Sequence, residues 1–193
     1  KTIANGDESI ATGIAQCDGQ LVTILDFEKI VAELAPETTI QVSEVDAMGD
    51  RPLNEAPIVI AEDSVLLRKM IDDSLERAGF TNIHNFGNGK EAWDYLSSIK
   101  DEPDLYERVK LIITDIEMPQ MDGHRLTKLI KDDSRLKKIP VIIFSSLIDD
   151  QMRRKGKELG ADDQLAKPEI GRLVATMDKL LNEYEETRAK ARG

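Results

Sequence analysis

The sequence predicts an α/β protein: an open, doubly wound sheet of five parallel strands, preceded by a small β-hairpin and helix segment. Two observations carry this. From Pro57 onward, short apolar runs alternate with amphipathic stretches of helical period, five times in about 130 residues, and repeated βα units of this kind describe a parallel sheet covered on both faces. Ahead of them the charge shifts: residues 1–56 carry eleven acids against three bases, so −8 of the net −11 lies there.

The elements follow in order. "ATGIAQCDGQLVTILDFEKIVAEL" (11–34) reads as strand, Asp18-Gly19 turn, strand, then a helix opened by Asp26 as N-cap. About thirty residues cannot bury a core of their own, so residues 1–34 are expected to be the end of something larger. The stretch "APETTIQVSEVDAMGDRPLNEAP" is broken by Pro36, Gly49, Pro52 and Pro57; residues 35–56 are expected to be a linker, with room for a short helix or strand in "TTIQVSEV". "PIVIAED" is a strand, and "SVLLRKMIDDSLERAGF" places apolar residues at 66, 67, 70, 71, 75 and 78, one helical face ended by Gly79. "TNIHNF" is a second strand and "NGKEAWDYLSSI" a helix capped by Asn88. "VKLIITD", "PVIIFSS" and "DQLAK" are the remaining strands. "GHRLTKLIKDD", "DDQMRRKGKELG" and "EIGRLVATMDKLLNEYEE" are their helices, giving a domain over 57–186 and a tail over 187–193.

Composition excludes several function classes. A net charge of −11 is the wrong sign for a phosphate-backbone footprint, so nucleic acid is not expected as a partner. The apolar runs are too short to span a bilayer, and Lys1 opens no signal-like core, so the chain is read as a cytoplasmic fragment without membrane insertion. The single cysteine, Cys17, has no disulfide partner in the chain and no neighbours at metal-ligand spacing, and is expected to be a packing residue.

The strand ends carry the chemistry. In a doubly wound sheet, ligands sit outside the carboxyl ends of the strands. The first strand ends in Glu62 and Asp63, the third in Asp115, the fourth in Ser145 and Ser146, and the fifth in Lys167. Three carboxylates on one edge repel one another and call for a cation, and a hard divalent ion with oxygen ligands, Mg²⁺ foremost, suits them. Asp115 then reads as a nucleophile able to accept a phosphoryl group as an acyl phosphate. Lys167 would neutralise phosphoryl charge, and the Ser145 hydroxyl would donate to a phosphoryl oxygen. Each residue also has a structural reading. A lone strand-end carboxylate is commonly a cap, either Asp63 or Ser64 suits the start of the first helix, Ser146 suits an N-cap or a packing role, and Asp122-Gly123 suits a turn. His84 and His124 lack any ligand set and read as surface or packing residues, as does the Met118 and Met121 pair in its loop.

These residues resemble the receiver domain of two-component response regulators. The resemblance covers 57–186 and rests on the pair Glu62-Asp63, "TDIEMPQMDG", "PVIIFSS" and "GADDQLAKP", whose key positions stand 52, 30 and 22 residues apart. It implies a flavodoxin-like fold, Asp115 as phosphoacceptor, and Mg²⁺ held by Glu62, Asp63, Asp115 and the backbone carbonyl of Glu117. It also implies Ser145 and Lys167 as the switch hydroxyl and lysine, and a sensor histidine kinase as phosphoryl donor. For Pro168 a helix-start role stands beside the family's cis Lys-Pro bond. Two departures from the family pattern stand out: Gln164 occupies a position where many receivers place an aromatic switch residue, and the loop "SIKDEPDLYERVK" is longer than usual.

Residues 3–34 resemble the end of a CheW-like coupling domain, and the order of the two parts is similar to CheV-type chemotaxis coupling proteins. That implies an adaptor linking receptors and kinase in a chemoreceptor array, with self-association through residues 1–34 as a further expectation. The chain is not expected to be an enzyme beyond phosphoryl transfer to itself and hydrolysis. Two other readings stay open: a single-domain regulator or phosphate sink, and an Asp-nucleophile phosphohydrolase. The latter class needs a second Asp two residues after the nucleophile, where this chain has Glu117.

Overall fold

The computed structural model describes residues 11–17, 20–25, 42–49, 51–146, 148–167 and 169–192. The chain divides into two units, Lys1–Thr39 and Ile40–Gly193. In the first, β1 (Ala11–Cys17) and β2 (Gln20–Leu25) pair antiparallel, from Cys17 opposite Gln20 to Ala11 opposite Leu25. Leu21 of β2 is 76% exposed. The Asp18-Gly19 turn, the helix expected after Asp26 and the Cys17 side chain lie outside the described residues, as does Pro168.

The second unit holds five parallel strands: β3 (Ile58–Ala61), β4 (Ile83–Phe86), β5 (Leu111–Thr114), β6 (Val141–Ser145) and β7 (Asp163–Ala166). Their spatial order is β4-β3-β5-β6-β7. The helices are α1 (Val42–Asp46), α2 (Val65–Arg77), α3 (Gly89–Ile99), α4 (Leu105–Arg108), α5 (Gly123–Asp132), α6 (Asp150–Glu158) and α7 (Ile170–Arg192). Strand side chains alternate between faces. Ile58, Ile60, Ile113 and Phe144 therefore meet Leu75 of α2 and Leu173 and Met177 of α7, while Val59, Ile112 and Val141 meet Leu96 of α3 and Leu126 and Ile130 of α5. Each such fully buried side chain is worth about 1.5–3 kcal/mol relative to exposure, which lets strands of four or five residues hold. Among the described residues, no helix is long and apolar enough to cross a membrane.

Helix starts follow from side-chain chemistry. Ser64, Asn88, Asp122 and Asp149 accept hydrogen bonds from the amides of Leu67, Glu91, Arg125 and Met152, satisfying first-turn donors. Ser64 rather than Asp63 is thus the cap of α2, Asp122, expected in a turn, is instead the cap of α5, and Asp149 replaces Ser146, which is exposed. At the other end of α2, Gly79 turns the chain with φ +90, where a Cβ would lie 2.6 Å from the Pro52 carbonyl oxygen.

Two expectations on boundaries need correcting. The described part of the expected linker, 42–49 and 51–56, packs as part of this unit: α1 lies against α2 and α7, Val45 is buried in their core cluster, and Asn54 exchanges backbone hydrogen bonds with Gly79 and Thr81. Its polar composition concealed this because most of its anchors are polar. The expected tail is also not separate, since α7 continues to Arg192. Nothing in "TRAKAR" breaks a helix, and Arg188 is anchored. Its guanidinium donates to the Tyr106 carbonyl at 3.1 Å and to Glu107 Oε1 at 2.8 Å. The long loop before β5 is likewise ordered around α4, with Leu105 and Val109 buried.

Candidate functional site

The strand order reverses direction around β3. The chain passes from β3 to β4 on one side and returns to β5 on the other, so the ends of β3 and β5 flank the switch point where such sheets bind ligands. Glu62 and Asp63 leave β3 there, and Asp115 leaves β5. Pairing of Ala61 with Thr114 sets these acids side by side, and the Asp115 amide donates to the Ala61 carbonyl.

Asp115 is held from several directions. Its Oδ1 accepts the Ile116 amide at 2.6 Å, and its Oδ2 accepts from Lys167 Nζ at 2.7 Å. Its carbonyl accepts the Thr114 hydroxyl at 2.9 Å. The loop to α5 is closed by the Gly123 amide donating to Ile116 O. Gly123 itself packs so near the Asp115 carbonyl that no Cβ fits between them. Glu117 lies in this loop, exposed at the same edge.

Lys167 is the centre of the cluster. It is 2% exposed, and its ammonium stands 2.7 Å from both Glu62 Oε2 and Asp115 Oδ2. Burial acts to lower its pKa, but the two carboxylates outweigh burial and hold the lysine above its usual value, so it is a cation. Burial pushes the Glu62 carboxyl above the usual carboxylate range, against the pull of Lys167. The Lys167 amide donates to the Ser145 carbonyl at 3.2 Å, so the buried Ser145, at the end of β6, is tied to the lysine's own backbone.

Asp63 completes the acidic group and is the exposed member. Glu62, Asp63 and Asp115 each offer an oxygen, and these atoms lie within 4.8 Å of one another. An all-oxygen, anionic donor set partly open to solvent fits a hard divalent cation such as Mg²⁺. Thus the structure brings together Glu62, Asp63, Asp115, Ser145 and Lys167, with Glu117 in the adjoining loop.

Some contributors went unnoticed in the sequence. The Arg68 guanidinium donates to the Glu62 carbonyl at 2.7 Å, fixing the turn from which the acidic pair projects. Its position one turn after Ser64 was the available signal. Gln164 fills its place differently from an aromatic ring: its Nε2 donates to the Arg153 carbonyl at 2.8 Å, and the Arg153 guanidinium donates back to the Gln164 carbonyl at 3.1 Å. Gly156 of α6 makes room for that amide. His124 is buried and His84 stacks on Tyr95, both as packing residues.

The comparisons with known proteins agree with this geometry. The response regulator receiver domain family matches residues 58–178. Chemotaxis protein CheV2 of Helicobacter pylori is 31% identical over 181 residues, covering 91% of this chain and 55% of that protein. Chemotaxis protein CheV3 of the same organism is 30% identical, covering 82% of this chain and 50% of its own length. The chain therefore spans about half the length of these relatives. Among solved structures, the receiver domain of a signal transduction histidine kinase from Syntrophus aciditrophicus is similar with TM-score 0.57 and 33% identity, covering 66% of this chain and 91% of that one. Vibrio cholerae CheY4 is similar with TM-score 0.54 and 26% identity, covering 66% and 99%. With the sheet order, the clustered acids and the matched residues in agreement, the chain belongs to the response regulator receiver domain family.

Proposed function

We propose that this chain is the receiver of a chemotaxis signalling protein, in which Asp115 takes a phosphoryl group from the phosphohistidine of a sensor histidine kinase. The observation that carries this is the setting of Asp115: a buried carboxylate at the switch point, one oxygen on the Lys167 ammonium, beside two further acids. A carboxylate oxygen of Asp115 attacks phosphorus and the P–N bond breaks. The imidazole leaves and takes up a proton, and an acyl phosphate remains. Water later attacks that phosphorus and releases inorganic phosphate, so the protein is a phosphorylated signal carrier and not an enzyme acting on other substrates. Glu62, Asp63, Asp115 and the Glu117 carbonyl would hold Mg²⁺, which supplies charge neutralisation to the phosphoryl oxygens. Lys167 stays cationic beside them, and the Ser145 hydroxyl donates to one.

The N-terminal unit is read as the end of a CheW-like coupling domain, through which the phosphorylation state reaches a cytoplasmic chemoreceptor and kinase array. Support comes from the two chemotaxis relatives, whose similarity extends over 91% and 82% of this chain. Exposed Leu21 and Val22 on β2 give the hairpin an apolar surface, and self-association through residues 1–34 would cover it. Sedimentation of this chain beside one starting at Ile40, the first residue of the second unit, tests that part: dimers only with the hairpin are expected, and monomers in both remove it.

The phosphoacceptor is tested with acetyl phosphate and intact mass. The wild type is expected to gain one phosphoryl group only with Mg²⁺, and Asp115→Asn none. Equal labelling of the two proteins overturns the assignment.

A further inference from the structure

Residues 42–54 grip the last helix of the receiver close to its lysine. Glu44 Oε2 accepts the Gly171 amide at 3.0 Å, in the first turn of α7. Val45 is 2% exposed in the core beside it. Asp46 pairs with Arg77 at 3.2 Å. Arg51 Nη2 donates to both carboxylate oxygens of Asp178 at 2.7 Å, and its Nε donates to the Ala78 carbonyl at 2.8 Å. First-turn amides of a helix lack intrahelical partners and carry partial positive charge, so a carboxylate is a well-matched cap. Here that carboxylate comes from outside the βα repeat, 127 residues away in sequence.

The turn that Glu44 caps starts at Ile170, three residues after the lysine. Lys167 is bonded by its amide to Ser145, the Glu169 amide donates to Ala166 O at 2.9 Å, the Ala166 amide donates to Glu169 Oε2 at 3.1 Å, and the Leu173 amide donates to Glu169 O at 2.9 Å. One short, densely bonded segment therefore has Glu62 and Asp115 at one end and Glu44 at the other. Residues 42–54 are also continuous in sequence with the N-terminal unit, which ends at Thr39.

We propose that residues 42–49 and 51–54 are a strap that, through Glu44, positions Lys167, so that docking of the strap is coupled to the state of the phosphoacceptor edge. The proposal rests on the reading of Asp115 as phosphoacceptor. Glu44 is a positioning residue: docked, the strap holds α7 where Lys167 bonds Glu62 and Asp115. A phosphoryl group on Asp115 adds a competing acceptor for the ammonium, draws Lys167 out of that position and loosens the turn and the strap. Coupling between two equilibria is reciprocal, so loosening the strap must in turn favour the phosphorylated arrangement.

The experiment uses the whole chain, with Mg²⁺ and beryllofluoride as the phosphoryl mimic. Glu44→Ala removes the carboxylate. Gly171→Ala is an independent second variant, because its Cβ would lie 3.1 Å from Glu44 Oε2 and press the carboxylate off the Gly171 amide while favouring the helix. Both variants are expected to bind beryllofluoride about two- to fivefold more tightly, the size of one carboxylate at a helix start. In the wild type, beryllofluoride is expected to speed hydrogen exchange of amides 42–54. A purely structural strap would lower stability in Glu44→Ala and move neither readout. Unchanged affinity in both variants, or unchanged exchange in the wild type, overturns the strap. Failure of the wild type to bind beryllofluoride at all overturns the phosphoacceptor reading itself, and the strap with it.

Discussion

At the carboxyl edge of the sheet one ammonium, Lys167, faces Glu62 and Asp115 with Asp63 alongside, and the ion-paired side chains are 8% exposed or less. At the opposite edge cations and anions are paired: Lys110 with Glu185, Arg188 with Glu107, Lys100 with Asp133. There each pair keeps one member about a third or more exposed, so water carries much of the solvation and each bond contributes about 0–1 kcal/mol. The first edge holds surplus negative charge where solvation is poor; the second spreads neutral pairs over a surface. The difference teaches how to separate a site from a scaffold in this fold. Unbalanced buried charge marks the candidate site, whereas paired surface charge fastens elements together.

The largest expected effect comes from removing the ammonium that Glu62 and Asp115 share. Lys167→Met leaves Glu62 and Asp115 buried without that ammonium, with the backbone amides of Ser64 and Ile116 still donating to them, and breaking a buried pair from one side costs about 3–5 kcal/mol. Denaturant titration without Mg²⁺ should show a loss of that order. A loss below about 0.5 kcal/mol, the usual range for surface changes, would mean that the edge is not electrostatically loaded and the contrast fails.

Next in size is the effect of supplying the cation. Mg²⁺ at ten times its dissociation constant should stabilise the wild type by about 1.4 kcal/mol, by binding only the folded chain. Asp63→Asn removes one donor and one charge and should lose most of that gain, while being at least as stable as wild type in chelator. Equal stabilisation of both proteins by Mg²⁺ would place the ion elsewhere.

A comparable change at the opposite edge should touch stability alone. Arg188 donates to Tyr106 O and Glu107 and lies over the Tyr106 and Tyr184 rings, 5.3 and 5.8 Å from their centroids. Arg188→Ala should cost about 1 kcal/mol, from lost charged hydrogen bonds and cation–π contact at a partly exposed site. Phosphoryl uptake from acetyl phosphate should be unchanged. A slowed uptake would show that the two edges are not independent.

The same contrast explains what the sequence made legible. The βα repeat, the cap at Asn88 and the clustering of Glu62, Asp63, Asp115 and Lys167 all follow from local periodicity and from the rule that parallel strands end together. The strap did not, because Val45 sits between two acids, Glu44 and Asp46, and its value depends on a groove between α2 and α7 formed by distant sequence. The extension of α7 was hidden for the same reason: helix-competent residues without an apolar stripe look like a tail until Arg188 finds Tyr106 and Glu107. Arg68 and the Gln164–Arg153 exchange bond backbone carbonyls, and no residue pattern announces a carbonyl's position.

The smallest expected effect is a pH dependence at the scaffold edge. Burial acts to raise the Asp133 carboxyl, but the Lys100 ammonium and the amides of Arg135 and Leu136, which donate to it, outweigh burial and hold it below the usual carboxylate range. A carboxyl with a lowered folded pKa stabilises the fold above its unfolded pKa and loses that contribution as pH falls through the folded value. Asp133→Asn keeps an acceptor for the two amides and removes the charge. Wild type should therefore be the more stable near pH 6, and the gap between the two proteins should narrow steadily on acidification toward pH 3, read as thermal midpoints at each pH. A gap that stays constant with pH would show that Asp133 acts through its hydrogen-bonding shape alone, leaving the charge match with Lys100 without weight in holding the long loop before β5.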